Sequence, residues 1–255
     1  MRVKASISKG FSIARSSLNV VLLLFVVGAV WSTLNAVYGP ALENEQANPE
    51  NVGLALALAS AGLIYMLVQV YLQGGLMGYA QSAVKNGRAT MGDFTAAGKK
   101  FFGKLLLLGL LIAVIVVVLI AIASLIVLLL PEAVRIVGII AALFIAAVAI
   151  AFSFLIFLSP YAIVNDGLGV RASMSRSMAL VKANMGEIVL MLLAIVLVAV
   201  LAGVILGGIA AVISLVLTGV RAQAVVVGVL GSAVNAFIGV LVTGAFTNYY
   251  LEISK

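Results

Sequence analysis

The sequence LLLLGLLIAVIVVVLIAIASLIVLLL occupies residues 105–130 and is followed at once by PEAVR at 131–135. This run carries no charge and is longer than the roughly 20 residues that cross about 30 Å of hydrocarbon as a helix. Pro131 ends a helix, and the charges of Glu132 and Arg135 would be too costly at the centre of a bilayer. The stretch therefore predicts one membrane-spanning helix, a short break and a second spanning helix.

Uncharged apolar stretches of this kind recur along the whole chain. Of its 255 residues, 65% are hydrophobic and 9% are charged, whereas a soluble domain carries about 25% charged residues. Stretches long enough to span a membrane lie at about 18–38, 54–76, 105–130, 136–158, 188–217 and 224–247. The sequence therefore predicts a single all-α integral membrane domain over residues 1–255, a bundle of six transmembrane helices.

The chain contains no histidine and no cysteine. Their absence removes disulfides, thiol nucleophiles, the commonest metal ligand and the acid–base group that titrates near neutral pH. No Asp, Glu, Lys or Arg lies inside a predicted span, and proton relays and voltage sensors need such residues. We therefore expect no enzymatic activity, no catalytic residue, no metal site and no cofactor.

Lysine and arginine are concentrated on one side of the predicted spans. Only Arg135 and Arg221, two of the 15 basic residues, lie on the other side, where the longest loop carries Glu43, Glu45 and Glu50. Cytoplasmic loops of membrane proteins are enriched in Lys and Arg. The distribution therefore predicts that both termini are cytoplasmic.

A basic segment recurs three times at nearly constant spacing. Residues 3–9 (VKASISK) resemble residues 170–176 (VRASMSR), and a shorter copy begins at Arg88. Two predicted spans follow each copy, and the second of them ends near Tyr79, Tyr161 or Tyr249. Short basic strings also arise by chance in inner loops, but the common spacing favours three helical hairpins of the same topology. The three repeats are approximately 1–86, 87–169 and 170–255.

Each basic segment has the periodicity of an amphipathic helix. The apolar positions of the first copy are Val3, Ile7, Phe11, Ala14 and Leu18, and those of the third are Val170, Met174, Met178, Val181 and Met185. We expect these helices to lie at the cytoplasmic interface, with the apolar face toward acyl chains or toward the spans. Thr90, with Asp93 three residues later, predicts the start of the middle helix.

The cations of these segments have two interpretations. They either contact anionic lipid, at about 1 kcal/mol for each cation near the surface, or only orient the protein in the membrane. The candidate lipid contacts are Lys4, Lys9, Arg15, Arg88, Lys99, Lys100, Lys104, Arg171, Arg176 and Lys182. Nucleic acid is not an expected partner, because the basic residues are spread over separate loops without interleaved aromatic residues.

A few uncharged polar residues lie within the predicted spans. Gln69 and Gln73 share one stripe of span 2 with Tyr65, and Asn235 lies near the middle of span 6 on a face rich in glycine. Such amides usually form interhelical hydrogen bonds. Alternatively, Gln69, Gln73 and Asn235 line a solute pathway.

Short motifs near the spans predict local contacts. Gly74-x-x-x-Gly78 and Gly203-x-x-x-Gly207 match a close-packing motif, although such matches are expected by chance among 25 glycines. The sequence Asn165-Asp166-Gly167 predicts a turn before the third basic helix. Glu187 is expected to pair with a nearby cation at the membrane edge.

Nearly the whole sequence resembles a known group of membrane domains. The resemblance is carried by residues 160–164 (PYAIV), by Ser177, Leu180, Lys182 and Asn184 with their spacing, by residues 87–90 leading into Phe101 and Phe102, and by residues 248–250 (NYY). These resemble the six-span membrane domain associated with bacterial glycerophosphodiester phosphodiesterases, and related stand-alone prokaryotic membrane proteins of unknown function. The resemblance implies a helical membrane domain without an established activity.

Two functions are compatible with these patterns. The first is a non-enzymatic protein of the prokaryotic inner membrane that organises the membrane or serves as a subunit of a larger assembly, with lipids and other membrane proteins as partners. The second is a permease or channel for an uncharged or lipid-like solute. A continuous polar cavity lined by Gln69, Gln73 and Asn235 would favour the second function, and a tightly packed interior with no water-accessible route past Asn235 would favour the first.

Overall fold

A computed structural model of the chain describes residues 2–39, 49–129, 131, 135–217 and 219–255. Within these ranges the chain forms nine helices and no strand. The helices are α1 (Arg2–Ser16), α2 (Leu18–Tyr38), α3 (Pro49–Asn86), α4 (Met91–Leu129), α5 (Arg135–Ile156), α6 (Ser159–Asp166), α7 (Val170–Ala183), α8 (Met185–Val216) and α9 (Val220–Ile253). The predicted loop residues Glu43 and Glu45, and Glu132 of the predicted break, lie outside the described residues.

Six helical segments are long and apolar enough to cross a membrane: α2, α3, α4, α5 with α6, α8 and α9. Each contains one predicted span, and α2 has the predicted bounds. The protein is therefore an all-α, multi-pass membrane bundle, as predicted. Glu50 was predicted to lie in the loop between the first two spans, but it lies in the first turn of α3.

The three basic segments are connected to the spans that follow them in two different ways. Ser17 separates α1 from α2, and Asn184 separates α7 from α8; each side chain donates a hydrogen bond to the carbonyl oxygen four residues earlier. Such bonds compete with the helix ladder and favour a break. The middle segment has the apolar Phe101 at the corresponding position of the repeat and continues without a break through α4. The middle amphipathic stretch is thus not a separate helix.

The predicted start of the middle segment is confirmed. Asp93 Oδ2 accepts hydrogen bonds from the Thr90 backbone N–H (2.7 Å) and hydroxyl (2.9 Å), and the Asp93 N–H donates to Thr90 Oγ1 (3.3 Å). This reciprocal pattern satisfies N–H groups that have no partner inside the helix. Helix α4 accordingly begins at Met91.

Helix α9 is the centre of the bundle and packs against α1, α2, α3, α6 and α8. Its close contacts use small residues. A Cβ atom added to Gly10 of α1 would overlap the backbone of α9, and one added to Gly228 of α9 would lie 2.6 Å from Ser32 Oγ of α2. In a bilayer, where apolar burial does not drive helices together, such close backbone approach supplies the packing contacts.

The approach of α1 to α9 also determines which face of α1 is buried. Val3 and Ala14 of the predicted stripe are buried, whereas Phe11 and Leu18 are 51% and 63% exposed. The buried face is completed by Ser6, Gly10 and Ile13. The buried face of α1 differs from the predicted apolar stripe because Gly10 allows the closest contact with α9. The side of α1 that carries Gly10 therefore packs against α9.

Helices α3 and α4 form a second close pair. Gly78 faces Ala97 so closely that a Cβ atom would overlap it, and Gly98 lies against the ring of Tyr71. The motif Gly74-x-x-x-Gly78 is therefore a packing site. The matching motif Gly203-x-x-x-Gly207 is not, because a Cβ atom at either glycine would meet nothing within 4 Å.

The buried core lies at the end of the bundle that contains α1, α6 and α7, which we call the basic end. Four tyrosines are buried there: Tyr79, Tyr161, Tyr249 and Tyr250. Tyr250 donates a hydrogen bond to Asp166 (2.5 Å), the last residue of α6, and Gly167 then turns the chain with φ of 70°. The predicted turn is thus confined to the residues after Asp166.

Glu187 has the cation partner that the sequence predicted. Its carboxylate lies 3.8 Å from the Arg2 guanidinium and accepts a hydrogen bond from the Tyr249 hydroxyl (3.3 Å). These contacts join the start of α1 to the start of α8, and the start of α8 to the end of α9.

The two glycine motifs provide a matched test of this packing. Gly78→Val should destabilise the protein by about 1–3 kcal/mol, because the side chain must separate α3 from α4. Gly203→Val should leave stability nearly unchanged, because the space around Gly203 is open. Thermal unfolding of both purified variants in the same detergent checks the prediction, and equal midpoints would contradict it.

Candidate functional site

A cavity of about 430 Å³ lies between α2, α3 and α9. Its polar lining consists of Ser32, Gln69, Gln73, Ser232, Asn235 and Thr243. The three amides singled out from the sequence, Gln69, Gln73 and Asn235, thus face one common space. They come together because the Tyr65, Gln69 and Gln73 stripe of α3 faces the glycine-rich side of α9.

The three amides form no interhelical hydrogen bond among the described residues. In the part of the chain that the structure describes, no other protein group is hydrogen-bonded to the side chain of Gln69, Gln73 or Asn235. Gln73 and Asn235 are exposed although both lie in membrane-spanning helices. An amide without a partner in hydrocarbon costs several kcal/mol. Water or a polar ligand in the cavity would satisfy these groups.

The chemistry of the cavity favours an uncharged occupant. Each primary amide offers two N–H donors and a carbonyl acceptor. None of the described residues that line the cavity is Asp, Glu, Lys or Arg, so a charged ligand would find no counter-ion in a medium of low dielectric constant. The volume lies within the range of small-molecule sites, roughly 300–1,000 Å³.

The sequence did not single out three further residues of the site, Ser32, Ser232 and Trp31. Ser32 and Ser232 lie where α2 and α9 cross, and Ser232 donates its hydroxyl hydrogen to the Gly228 carbonyl (2.8 Å). Trp31 and Tyr65 stack in the cavity wall, with ring centroids 4.4 Å apart and an angle of 9° between the planes. Only Tyr65 belonged to a stripe predicted from one helix; the remaining three depend on which helix lies opposite.

The cavity ends on apolar packing toward the basic end. Leu72 and Leu76, which line it, are buried and belong to one apolar cluster with Tyr79, Val240 and Leu241. Helix α1 packs across this cluster through Ile13 and Ala14. Among the described residues, this packing closes the cavity on the side of the basic end.

The candidate lipid-contacting cations lie at the basic end in two different environments. Lys104 donates hydrogen bonds to the carbonyls of Gly167 (2.8 Å) and Leu168 (3.2 Å), and Arg176 donates to that of Ser254 (2.9 Å). These two therefore hold protein segments together. The exposed or half-exposed others are Lys4, Lys9, Arg15, Arg88, Lys99, Lys100, Arg171 and Lys182.

Lys4 also lies beside an apolar groove between α1 and α8. The groove has a volume of about 850 Å³, and Val3, Ile7, Phe11, Leu190 and Ala194 form its apolar lining. Glu187, already paired with Arg2, lies in the same lining. The groove thus combines a cation at its polar edge with an apolar surface.

A protein-family model described as "Domain of unknown function (DUF7847)" matches residues 1–253. No curated protein and no solved structure matches the chain. The resemblance to membrane domains associated with glycerophosphodiester phosphodiesterases stays a prediction.

Cysteine accessibility tests whether the cavity contains water. The chain has no native cysteine, and Gly239 lines the cavity with open space for a Cβ atom. Gly239→Cys should react with N-ethylmaleimide about tenfold or more faster than Gly203→Cys, because the reactive thiolate forms in water and not in hydrocarbon. Gly203 is a matched control, since it is exposed in the middle of a span and is not among the described residues that line this cavity. Equal labelling rates would show that the cavity is dry.

Proposed function

The chain belongs to the family described as Domain of unknown function (DUF7847), and we propose that it is a non-enzymatic permease for an uncharged polar or lipid-like solute. The observation that carries this proposal is the cavity with three unpaired amides. The solute would bind between α2, α3 and α9 and accept and donate hydrogen bonds to Gln69, Gln73 and Asn235. The cavity favours this function over a purely organising role, for which a packed interior was expected.

The closed side of the cavity supports a permease rather than a channel. A channel needs a continuous route, but Leu72, Leu76 and the cluster around Tyr79 separate the cavity from the basic end. In an alternating-access mechanism, the described conformation would be the one that is closed toward the basic end. Release of solute there would require α3 to separate from α9 at this cluster.

The proposal includes the membrane and the orientation that the charges favour. We place the protein in the cytoplasmic membrane of a prokaryote with both termini inside, so that the basic end is cytoplasmic. The three hairpin repeats, with α1, the start of α4 and α7 at the interface, belong to the same proposal. The cavity is then formed by both spans of the first repeat and the last span of the third.

Solute flux tests the proposal directly. Proteoliposomes should take up glycerol faster than protein-free vesicles in a light-scattering assay. Gln73→Leu or Asn235→Leu should lower the protein-dependent rate about tenfold, since each removes hydrogen bonds to the solute and 1.4 kcal/mol corresponds to a factor of ten.

Ser153→Leu is the matched control, because Ser153 is an exposed polar residue of a span that lines none of the described cavities. It should retain the flux. If glycerol, urea, a monosaccharide and a monoacylglycerol all cross the membrane of protein-containing vesicles no faster than that of protein-free ones, the permease proposal is wrong.

A second function is favoured by the groove between α1 and α8. Here we propose that an anionic phospholipid binds with its phosphate near Lys4 and an acyl chain against Ile7, Phe11 and Leu190. The opposite charges of Arg2 and Glu187 cancel each other. Lys4 therefore makes the net charge beside the groove positive. Lipid held in this way would support the membrane-organising or assembly role, with membrane lipids and other membrane-protein subunits as partners.

Lys4→Gln should remove one tightly held phosphatidylglycerol from the purified protein, counted by native mass spectrometry. Loss of the phosphate contact should weaken binding about fivefold, the effect of about 1 kcal/mol. Lys99→Gln removes an equally exposed cation of the basic end that lines no described groove and should retain the lipid. Equal lipid counts for the two variants would contradict a specific site at Lys4.

A further inference from the structure

The Trp31–Tyr65 pair separates two cavities of opposite character. On one side lies the polar cavity with the three amides. On the other side an apolar groove of about 360 Å³ runs between α2 and α3. Both cavities have Trp31 and Tyr65 in their lining, so the two stacked rings form their common wall.

The apolar groove faces the region of the lipid chains. Its lining includes Val26, Val30 and Ile64, which are 54%, 56% and 64% exposed, and all of its described lining residues lie within the spanning segments α2 and α3. Except for the Trp31 N–H and the Tyr65 hydroxyl, the side chains of this lining carry no hydrogen-bonding group. An alkyl chain fits this surface, and a polar solute does not.

We propose that the solute is an uncharged amphiphile, with its hydroxyl-bearing head group in the polar cavity and its alkyl chain in the groove between α2 and α3. This inference rests on the proposed function and names the class of substrate. The head group would form hydrogen bonds with the side chains of Gln69, Gln73 and Asn235. The alkyl chain would pass between the polar cavity and the groove at the Trp31–Tyr65 pair. An anionic or zwitterionic head group is disfavoured, since no described residue of the polar cavity is charged.

The stacked pair is the element that must move to admit such a ligand. With centroids 4.4 Å apart, the rings leave no room for an alkyl chain between them. An aromatic pair contributes little beyond its buried area, and α2 and α3 make few other contacts with each other. The rings can therefore separate without disturbing the close crossings of α2 with α9 or of α3 with α4.

Trp31 is the only tryptophan of the chain, so its fluorescence reports on this wall alone. The probe is a monoacylglycerol whose acyl chain carries bromine atoms, which quench tryptophan on close contact. It is added at a low mole fraction to proteoliposomes of phosphatidylcholine. Brominated phosphatidylcholine at the same mole fraction measures quenching by the surrounding lipid.

The brominated monoacylglycerol should quench Trp31 to saturation and several-fold more than the brominated phospholipid. Asn235→Leu should weaken this specific quenching about tenfold, and Ala61→Leu, which fills the groove, should abolish it. Ala147→Leu, an equivalent change at an exposed position of α5 outside the described cavities, should leave it unchanged. Equal quenching by both brominated lipids would overturn the amphiphile inference.

A second measurement separates this inference from the proposed function. Glycerol carries the head group without the chain, and it should slow the labelling of Gly239→Cys by N-ethylmaleimide. If glycerol protects but the brominated chain gives no specific quenching, the cavity binds a polar solute and only the amphiphile inference is wrong. If neither effect is found, the proposed function and the inference both fail.

Discussion

The close approach of helix backbones at small residues is the interaction on which the rest of the structure depends. Gly10 brings α1 onto α9, Gly228 brings α9 against Ser32 of α2, and Gly78 brings α3 onto α4. Lipid chains compete equally well for apolar side chains, so van der Waals contact at such crossings holds the bundle together. Helices α1, α2 and α9 therefore form one tight unit and α3 and α4 form another, and these two units can diverge from each other.

Divergence of the two units explains the position of the cavity. Helix α3 meets α9 through Leu72, Leu76 and Tyr79 near the basic end. Farther from the basic end, α9 presents Ala236 and Gly239 toward α3 without close contact, and the side chains of Gln69, Gln73 and Asn235 occupy the opening. Amides at this place would destabilise a dry interface, because their hydrogen-bonding groups would lose water without gaining a partner. In a wet cavity the same residues cost little, which makes binding their most direct use.

Much of the fold could be predicted from the sequence because its determinants are local. The spans follow from uninterrupted apolar runs, the start of α4 from Thr90 and Asp93, and the shared face of Tyr65, Gln69 and Gln73 from the helical period. The partner of each face could not be predicted. Gly74-x-x-x-Gly78 and Gly203-x-x-x-Gly207 are equivalent as patterns, yet only the first has a helix against it. Single-helix periodicity likewise did not show that Gly10, rather than Phe11, makes the closest contact with the α9 backbone.

The same difference between tight and loose contacts predicts how the cavity can change shape. Opening toward the basic end would have to break a buried cluster that includes Tyr79, Leu241 and the packed face of α1. Opening toward the lipid needs only the Trp31 and Tyr65 rings to part, at the place where α2 and α3 are otherwise loosely joined. Aromatic stacking contributes about 0.5–1.5 kcal/mol beyond area burial, whereas a crossing of buried side chains removes many contacts at once. Under the proposed function, the lateral route would have the lower barrier, and a solute entering from the bilayer would need a part that is stable there.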